Sequence, residues 1–246
     1  MIRAVMVDSG EVLLRMMPWE ARLRRALRLW PEADEARLHR AAVAARAWAS
    51  QATPVDLLPS WEAEDAYALR IAEEATSALA LAGLDARYVR ESCHYHNACH
   101  PYPDALAALT TLRGLGFWVG VISDAPPSMR AALARHGFLD LVDHVTLSSE
   151  VGHMKPDPQI FQAALRAAGV DADEAIFVDD TPGNVDGAHA FGFAQAYVID
   201  RDGHANGRAD RLPDLAALPA LLSPHAPALQ AGSRSRVTAA GAQSGA

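Results

Sequence analysis

The chain has 246 residues, half of them apolar, which suffices to bury a substantial core in one large domain or one and a half. Its 22 basic and 30 acidic side chains leave a net charge of −8, which argues against a general nucleic-acid surface, because phosphates need a basic face. No apolar run approaches the roughly 20 residues of a membrane-spanning helix, and the opening apolar run breaks at Asp8 with no small-residue cleavage site, so a membrane role and secretion are not expected.

The first predicted element, IRAVMV from Ile2 to Val7, is short, β-branched and apolar on both alternating faces, as a central parallel strand is. It runs straight into Asp8, then Ser9, Gly10 and Glu11. An ionised carboxylate at the end of a buried strand is costly unless a metal, hydrogen bonds or an opposite charge compensates it. From Pro18 the pattern turns helical: Trp19, Leu23, Ala26, Leu27 and Trp30 recur at helical spacing, and Leu38, Ala41, Ala45 and Trp48 repeat it. A link bearing Pro54 and Pro59 leads into a third helical run, Trp61 to Leu81, so that residues 15–99 read as an all-helical insertion.

Beyond Pro101, helices and strands alternate. A helix from about Asp104 to Leu115 leads into the strand FWVGVIS, and a helix from Pro127 to His136 closes at Gly137. A strand near His144 to Leu147 follows, then a helix from Pro158 to Ala168 with Gly169 after it, the strand AIFVDD, a helix from about Asn184 to Phe191, and the strand AQAYVID. This alternation predicts crossover units and a doubly wound parallel α/β sheet assembled from residues 1–14 and 100–222. Residues 223–246 lack periodicity and are rich in Ala, Gly and Ser, and disorder is expected there.

In such sheets ligands collect at the carboxyl ends of the strands. Those ends carry Asp8, then Ser123 and Asp124, then Asp179 and Asp180, while Lys155 in VGHMKPDPQIF stands between a strand and its helix. Taken singly, each has a plain structural role. Asp8 could cap a turn, Ser123 could bond its own backbone, the Asp179–Asp180 pair could cap the next helix, and Lys-Pro-Asp-Pro is good turn chemistry.

Together, and in this order, Asp8, Ser123, Lys155 and the paired acids of FVDDTPGNVDGAHAFG resemble the four motifs of the haloacid dehalogenase superfamily, over residues 1 to about 200 and with that family's helical cap between the first and second motifs. The resemblance implies a magnesium-dependent phosphatase of a small phosphorylated metabolite that works through an aspartyl phosphate. Asp8 is then the nucleophile, and Mg2+ lies among Asp8, the Gly10 carbonyl, Asp179 and Asp180, an all-oxygen set suited to a hard cation. Ser123, Asp124 and Lys155 are the groups expected on the substrate side, Lys155 offsetting the carboxylates and Ser123 donating to a phosphate oxygen. Asn184 is expected to orient Lys155 or its loop.

One position departs from the pattern. Phosphatases of this family usually carry a second acid two residues after the nucleophile, where this chain has Gly10. Glu11 is the adjacent candidate for acid and base, and a residue of the cap is another. The same loss opens a second reading, a 2-haloacid dehalogenase, although those enzymes typically alter the paired acids that persist here; a third is a degenerate relative that binds without turnover. Cys93, His94, His96, Cys99 and His100 match no common zinc spacing, so that stretch is read as a hinge. With only two cysteines, a reducing cytoplasm is expected. Trp19, Trp48, Trp61 and Tyr67 are read as helical core rather than as groups that stack on substrate.

Overall fold

The structure, a computed structural model, describes residues 1–204 and 207–227. The chain opens with β1 (Ala4–Val7) and a short β2 (Leu14–Met16). Four helices follow, α1 (Trp19–Ala26), α2 (Glu35–Ala49), α3 (Trp61–Leu79) and α4 (Ala86–Cys93), before β3 (Cys99–Pro101). Then come α5 (Ala105–Gly114), β4 (Trp118–Ser123), α6 (Met129–Arg135), β5 (His144–Leu147), α7 (Ser148–Val151), α8 (Pro158–Ala168), β6 (Ala175–Asp179), α9 (Pro182–Phe191), β7 (Gln195–Ile199), β8 (Arg211–Leu212) and α10 (Ala217–Leu222).

The six-stranded sheet runs β5-β4-β1-β6-β7-β8 with every neighbouring pair parallel, confirming an α/β doubly wound core. Alternation along β1 explains why all four of its residues are apolar and buried. Val5 and Val7 face one helical layer, with Leu109 and Leu112 of α5 and Leu133 of α6. Ala4 and Met6 face the other, with Ile160 and Phe161 of α8 and Val185 of α9. Phe161 meets Phe177 and Phe193 edge-on, ring centres 5.5 Å apart in both pairs, the arrangement that aromatic quadrupoles favour.

Register sets the site. Val7 lies opposite Val121 on one side and Val178 on the other. One residue further on, Asp8 therefore leaves the sheet at the level of Ile122 and Asp179, at the point where the strand order reverses. The helices α1 to α4 hold a separate apolar cluster around Leu23, Leu38, Ala41, Ala72, Ala75 and Val89. Where the chain leaves and rejoins the sheet, β2 and β3 form an antiparallel ribbon, Leu14 opposite Pro101 and Met16 opposite Cys99.

Besides the short α7, β8 and α10, three features differ from the sequence reading. Helix α4 buries only Val89 and Cys93, a single i,i+4 pair that gives too little periodicity to find. The ribbon pairs segments that are too short to show a pattern. Disorder expected from Ser223 onward is corrected for its first residues: Ser223–His225 form a 3-10 turn continuing α10, and Ala226 packs on the core. The rest of that stretch, 228–246, lies outside the described residues.

Gly187 in α9 allows close packing beneath the lysine segment. A Cβ there would lie 2.3 Å from Cβ of Pro156, the residue after Lys155. Gly187→Ala is therefore expected to lower stability by about 1–3 kcal/mol through overpacking, read as a lower urea midpoint at unchanged slope.

Candidate active site

The strand ends gather four carboxylates around one ammonium. Lys155 is buried, and its three donors are all engaged: Nζ donates to Asp8 Oδ1 at 2.7 Å, to Asp179 Oδ2 at 2.7 Å and to the Ile122 carbonyl at 3.0 Å. Burial alone would discourage its charge, but Asp8 and Asp179 outweigh that and hold the ammonium firmly protonated. Its own backbone N–H donates to Asp124 Oδ1 at 2.8 Å, which fixes the loop that presents it.

Asp179 is the most completely bonded acid. Its Oδ1 accepts from the Thr181 N–H at 2.8 Å and from Asn184 Nδ2 at 3.1 Å, and Asn184 also reaches Oδ2 at 3.2 Å. Asn184 thus orients Asp179 and only through it Lys155. Asp8 donates its N–H to the Val178 carbonyl at 2.8 Å and spends Oδ1 on Lys155, and its Oδ2 has no donor among the described residues. Ser123 is buried with its hydroxyl 2.6 Å from that of Ser9. These side chains line a small cavity of about 160 Å3 that includes Gly10, Asp124, Thr181 and Asn184.

The acids exceed the available positive charge. Burial, only partly offset by Lys155, and then Asp179 push the Asp8 carboxyl well above its ordinary range. Burial followed by Asp179 does the same to Asp180. Asp8, Asp179 and Asp180 can each bring an oxygen within 4.8 Å of the other two, and among the described residues they form the one such group able to share an ion. An all-carboxylate set with uncompensated charge fits a hard divalent cation. The Gly10 carbonyl accepts from the Val12 N–H at 2.6 Å and keeps a second lone pair.

Glu11 does not join this group as a catalytic acid. It sits at a positive φ of 50°, and its carboxylate accepts from the Met16 N–H at 2.9 Å and the Tyr102 hydroxyl at 2.5 Å, tying down the ribbon. At Gly10 a Cβ would lie 3.7 Å from Asp8 Oδ2, so the position that faces the nucleophile bears no side chain. Among the described residues the Cys93–His100 stretch forms no ion-sharing group either. Burial pushes the Cys93 thiol up to about 12 and His94 down to about 4, and His94 Nδ1 pairs with His96 Nδ1 at 2.8 Å.

A second cavity of about 360 Å3 is walled by the helical insertion and by Asp124, which lines both cavities. Trp19 and Tyr67 form part of its wall, Trp19 also packing on the helical core; Trp48 backs Tyr67 at a ring distance of 5.0 Å, and these two, expected as core, are half-buried outside the core clusters. Trp61 is 43% exposed and stacks on His94, which corrects its reading as core. Two contacts close the helices onto the sheet here. Buried Glu64 of α3 accepts the Ser128 N–H at 2.8 Å and the Ser128 hydroxyl, and Ser148 donates its hydroxyl to the Asp56 carbonyl at 2.5 Å while accepting the Ala125 N–H at 3.0 Å. Ser9, Ser128, Ser148 and Asp56 carry no sequence signal, since each is defined by a partner more than 60 residues away.

Comparison with known proteins accords with this geometry. Residues 2–192 match the family model of haloacid dehalogenase-like hydrolases. A phosphatase of Mycobacterium tuberculosis is 39% identical over 123 residues, 49% of this chain and 55% of that protein. An (S)-2-haloacid dehalogenase of Pseudomonas is 28% identical over 132 residues, 53% of this chain and 56% of that protein. The chain thus spans about half the length of these curated relatives. A HAD phosphatase from Thermococcus onnurineus superposes with a TM-score of 0.63, covering 90% of this chain and 98% of its own at 24% identity, which shows the fold.

Removing Glu64 would leave the buried Ser128 N–H and hydroxyl without an acceptor. Glu64→Ala is expected to cost about 1–3 kcal/mol of stability, measured by urea unfolding.

Proposed function

Because the chain belongs to the haloacid dehalogenase-like hydrolase family, we propose that it is a magnesium-dependent phosphatase that hydrolyses a small phosphorylated metabolite through a phosphoryl group carried on Asp8. The observation that carries this reading is the convergence of Asp8, Asp179 and Asp180 on one point beside Lys155. The match to a phosphatase at 39% identity supports it.

Asp8, Asp179, Asp180 and the Gly10 carbonyl would hold the cation. When bound, it would screen the charge of a phosphate from the carboxylates and polarise the phosphoryl oxygens. The rest of the work belongs to the chain. Lys155 binds Asp8 Oδ1, which leaves Oδ2 as the oxygen that attacks phosphorus, and its fixed charge offsets that of the transferring group. Asp179, locked by Thr181 and Asn184, keeps Lys155 in place. Ser123 donates to a phosphoryl oxygen, and backbone N–H groups after Asp8 add donors to it. The larger cavity holds the alcohol portion of the ester.

The persistence of the full acid group favours phosphate over a halide on carbon, where the attacking aspartate needs no cation. No helix among the described residues is long and apolar enough to cross a membrane, and the free buried thiols Cys93 and Cys99 accord with a reducing cytoplasm. No nucleic-acid partner is proposed.

Phosphate release from a panel of phosphorylated metabolites should depend on magnesium, and halide release from 2-haloacids should be absent; the reverse pattern would make the protein a dehalogenase. Asp8→Asn should reduce turnover by about three orders of magnitude or more, on the scale of nucleophile deletions, with an unchanged circular dichroism spectrum. Acid quench of the working enzyme should place a phosphoryl adduct on the peptide bearing Asp8.

A further inference from the structure

Breaking a phosphate ester of an ordinary alcohol needs a proton for the leaving oxygen, and the second step needs a base for water. Most groups around the two cavities are already committed. Lys155 uses all three donors, Asp179 is fully bonded, and Glu11 is held by Met16 and Tyr102. Both Glu64 oxygens accept from Ser128, and His94, whose burial disfavours a charge, is bonded to His96. Position 10 has no side chain.

Asp56 is different. It lies in the 3-10 turn Val55–Leu57 between α2 and α3 and lines the larger cavity together with Asp124, the residue common to both cavities. Its backbone is pinned to the sheet, since its carbonyl accepts from Ser148, which in turn holds the Ala125 N–H next to Asp124. The carboxylate itself has no hydrogen-bond donor among the described residues.

The charges facing this turn favour a proton on Asp56. Burial pushes its carboxyl up to about 7, with Asp124 and Glu64 acting in the same direction and Lys155 against them. Asp124 is also raised by burial, but Lys155 opposes that more directly and gives Asp124 its N–H. Of the two acids, Asp56 is therefore the one whose surroundings favour a proton more. Around them, Tyr67 is a raised phenol, Arg46 pairs with Glu20, Arg90 with Asp65, and Glu150 of α7 with Arg130.

Resting on the phosphatase reading above, we propose that Asp56 is the acid that protonates the leaving oxygen and the base that then activates water, the task for which Gly10 has no side chain. In the first step Asp8 Oδ2 bonds to phosphorus, the bond from phosphorus to the ester oxygen breaks, and that oxygen takes the Asp56 proton to leave as the alcohol. In the second, water bonds to phosphorus and gives its proton to the Asp56 carboxylate. The bond from phosphorus to Asp8 breaks, which restores both acids and releases phosphate.

The test compares wild type, Asp56→Asn and Asp56→Glu on phenyl phosphate and p-nitrophenyl phosphate with magnesium. The Asn variant should lose about 100-fold or more in kcat on phenyl phosphate, with little change in KM. Its first step should be less impaired on the nitrophenyl ester, whose anion leaves unaided, giving a burst of nitrophenol ahead of slow turnover. The Glu variant should recover part of the rate.

The acid form is needed for bond cleavage, so wild-type kcat/KM on phenyl phosphate should fall as pH rises through about 7, a limb absent from the Asn variant. Equal first-step losses on both esters, a change confined to KM, or no change would overturn the assignment. Should the Asn variant not fold, wild-type rates across a series of aryl phosphates decide: weak dependence on leaving-group acidity below about pH 7 and steep dependence above it support Asp56, and equal dependence on both sides overturns it. A wild type inactive on every ester but active on 2-haloacids refutes the phosphatase reading instead.

Discussion

The buried bridge from Lys155 to both Asp8 and Asp179 is the interaction on which the site depends. An ammonium and two carboxylates out of water would be destabilising if any one lacked a partner, and a buried pair is tolerated only where further hydrogen bonds satisfy what remains. Here they do. Asp179 takes the Thr181 amide and Asn184, Lys155 takes the Ile122 carbonyl, and the lysine backbone is tied to Asp124. The close contact of Pro156 with Gly187 presses the segment against α9. Sheet register and second-layer bonds thus place one cation between two strand ends without leaving it room to move.

That bridge also divides the carboxylates by role. With Oδ1 held by lysine, Asp8 presents its other oxygen outward, while Asp179, bonded at both oxygens, braces the lysine. Asp180, half-buried and without a hydrogen bond from Lys155, completes the group of acids with Asp8 and Asp179. The excess of acids over lysine would be unfavourable as a permanent state, and a divalent ion would relieve it.

Much of this was legible in the sequence because strand ends follow from hydrophobic period alone. Once IRAVMV, FWVGVIS and AIFVDD are read as neighbouring parallel strands, Asp8, Ser123 and Asp179 must emerge at one edge. Lys155 is another matter: in a Pro-rich turn a lysine that bridges two acids looks the same as one in solvent, and only the order of motifs singled it out. Contacts set by distant partners were not readable at all. Glu11 looks like a free acid until the Tyr102 hydroxyl arrives from 91 residues away, and Asp56 looks like a loop carboxylate until Ser148 fixes it to the sheet. Trp61 misleads in the opposite sense, being helical in spacing yet placed over His94 at the surface.

The position of Asp56 has a physical logic that position 10 lacks. An acid beside Asp8 would share the field of Lys155 and of any cation held by Asp8 and Asp180, and both favour ionisation. Across Asp124, on the wall formed by the helices, that field is weaker. Apolar neighbours such as Val55, Ala49 and Ile71 line the same cavity and raise the cost of a charge. A carboxyl there holds a proton near neutrality, as a proton donor must. Because the donor belongs to the helical layer and the nucleophile to the sheet, the Glu64–Ser128 and Asp56–Ser148 contacts that join the layers also bring the proton to the reaction.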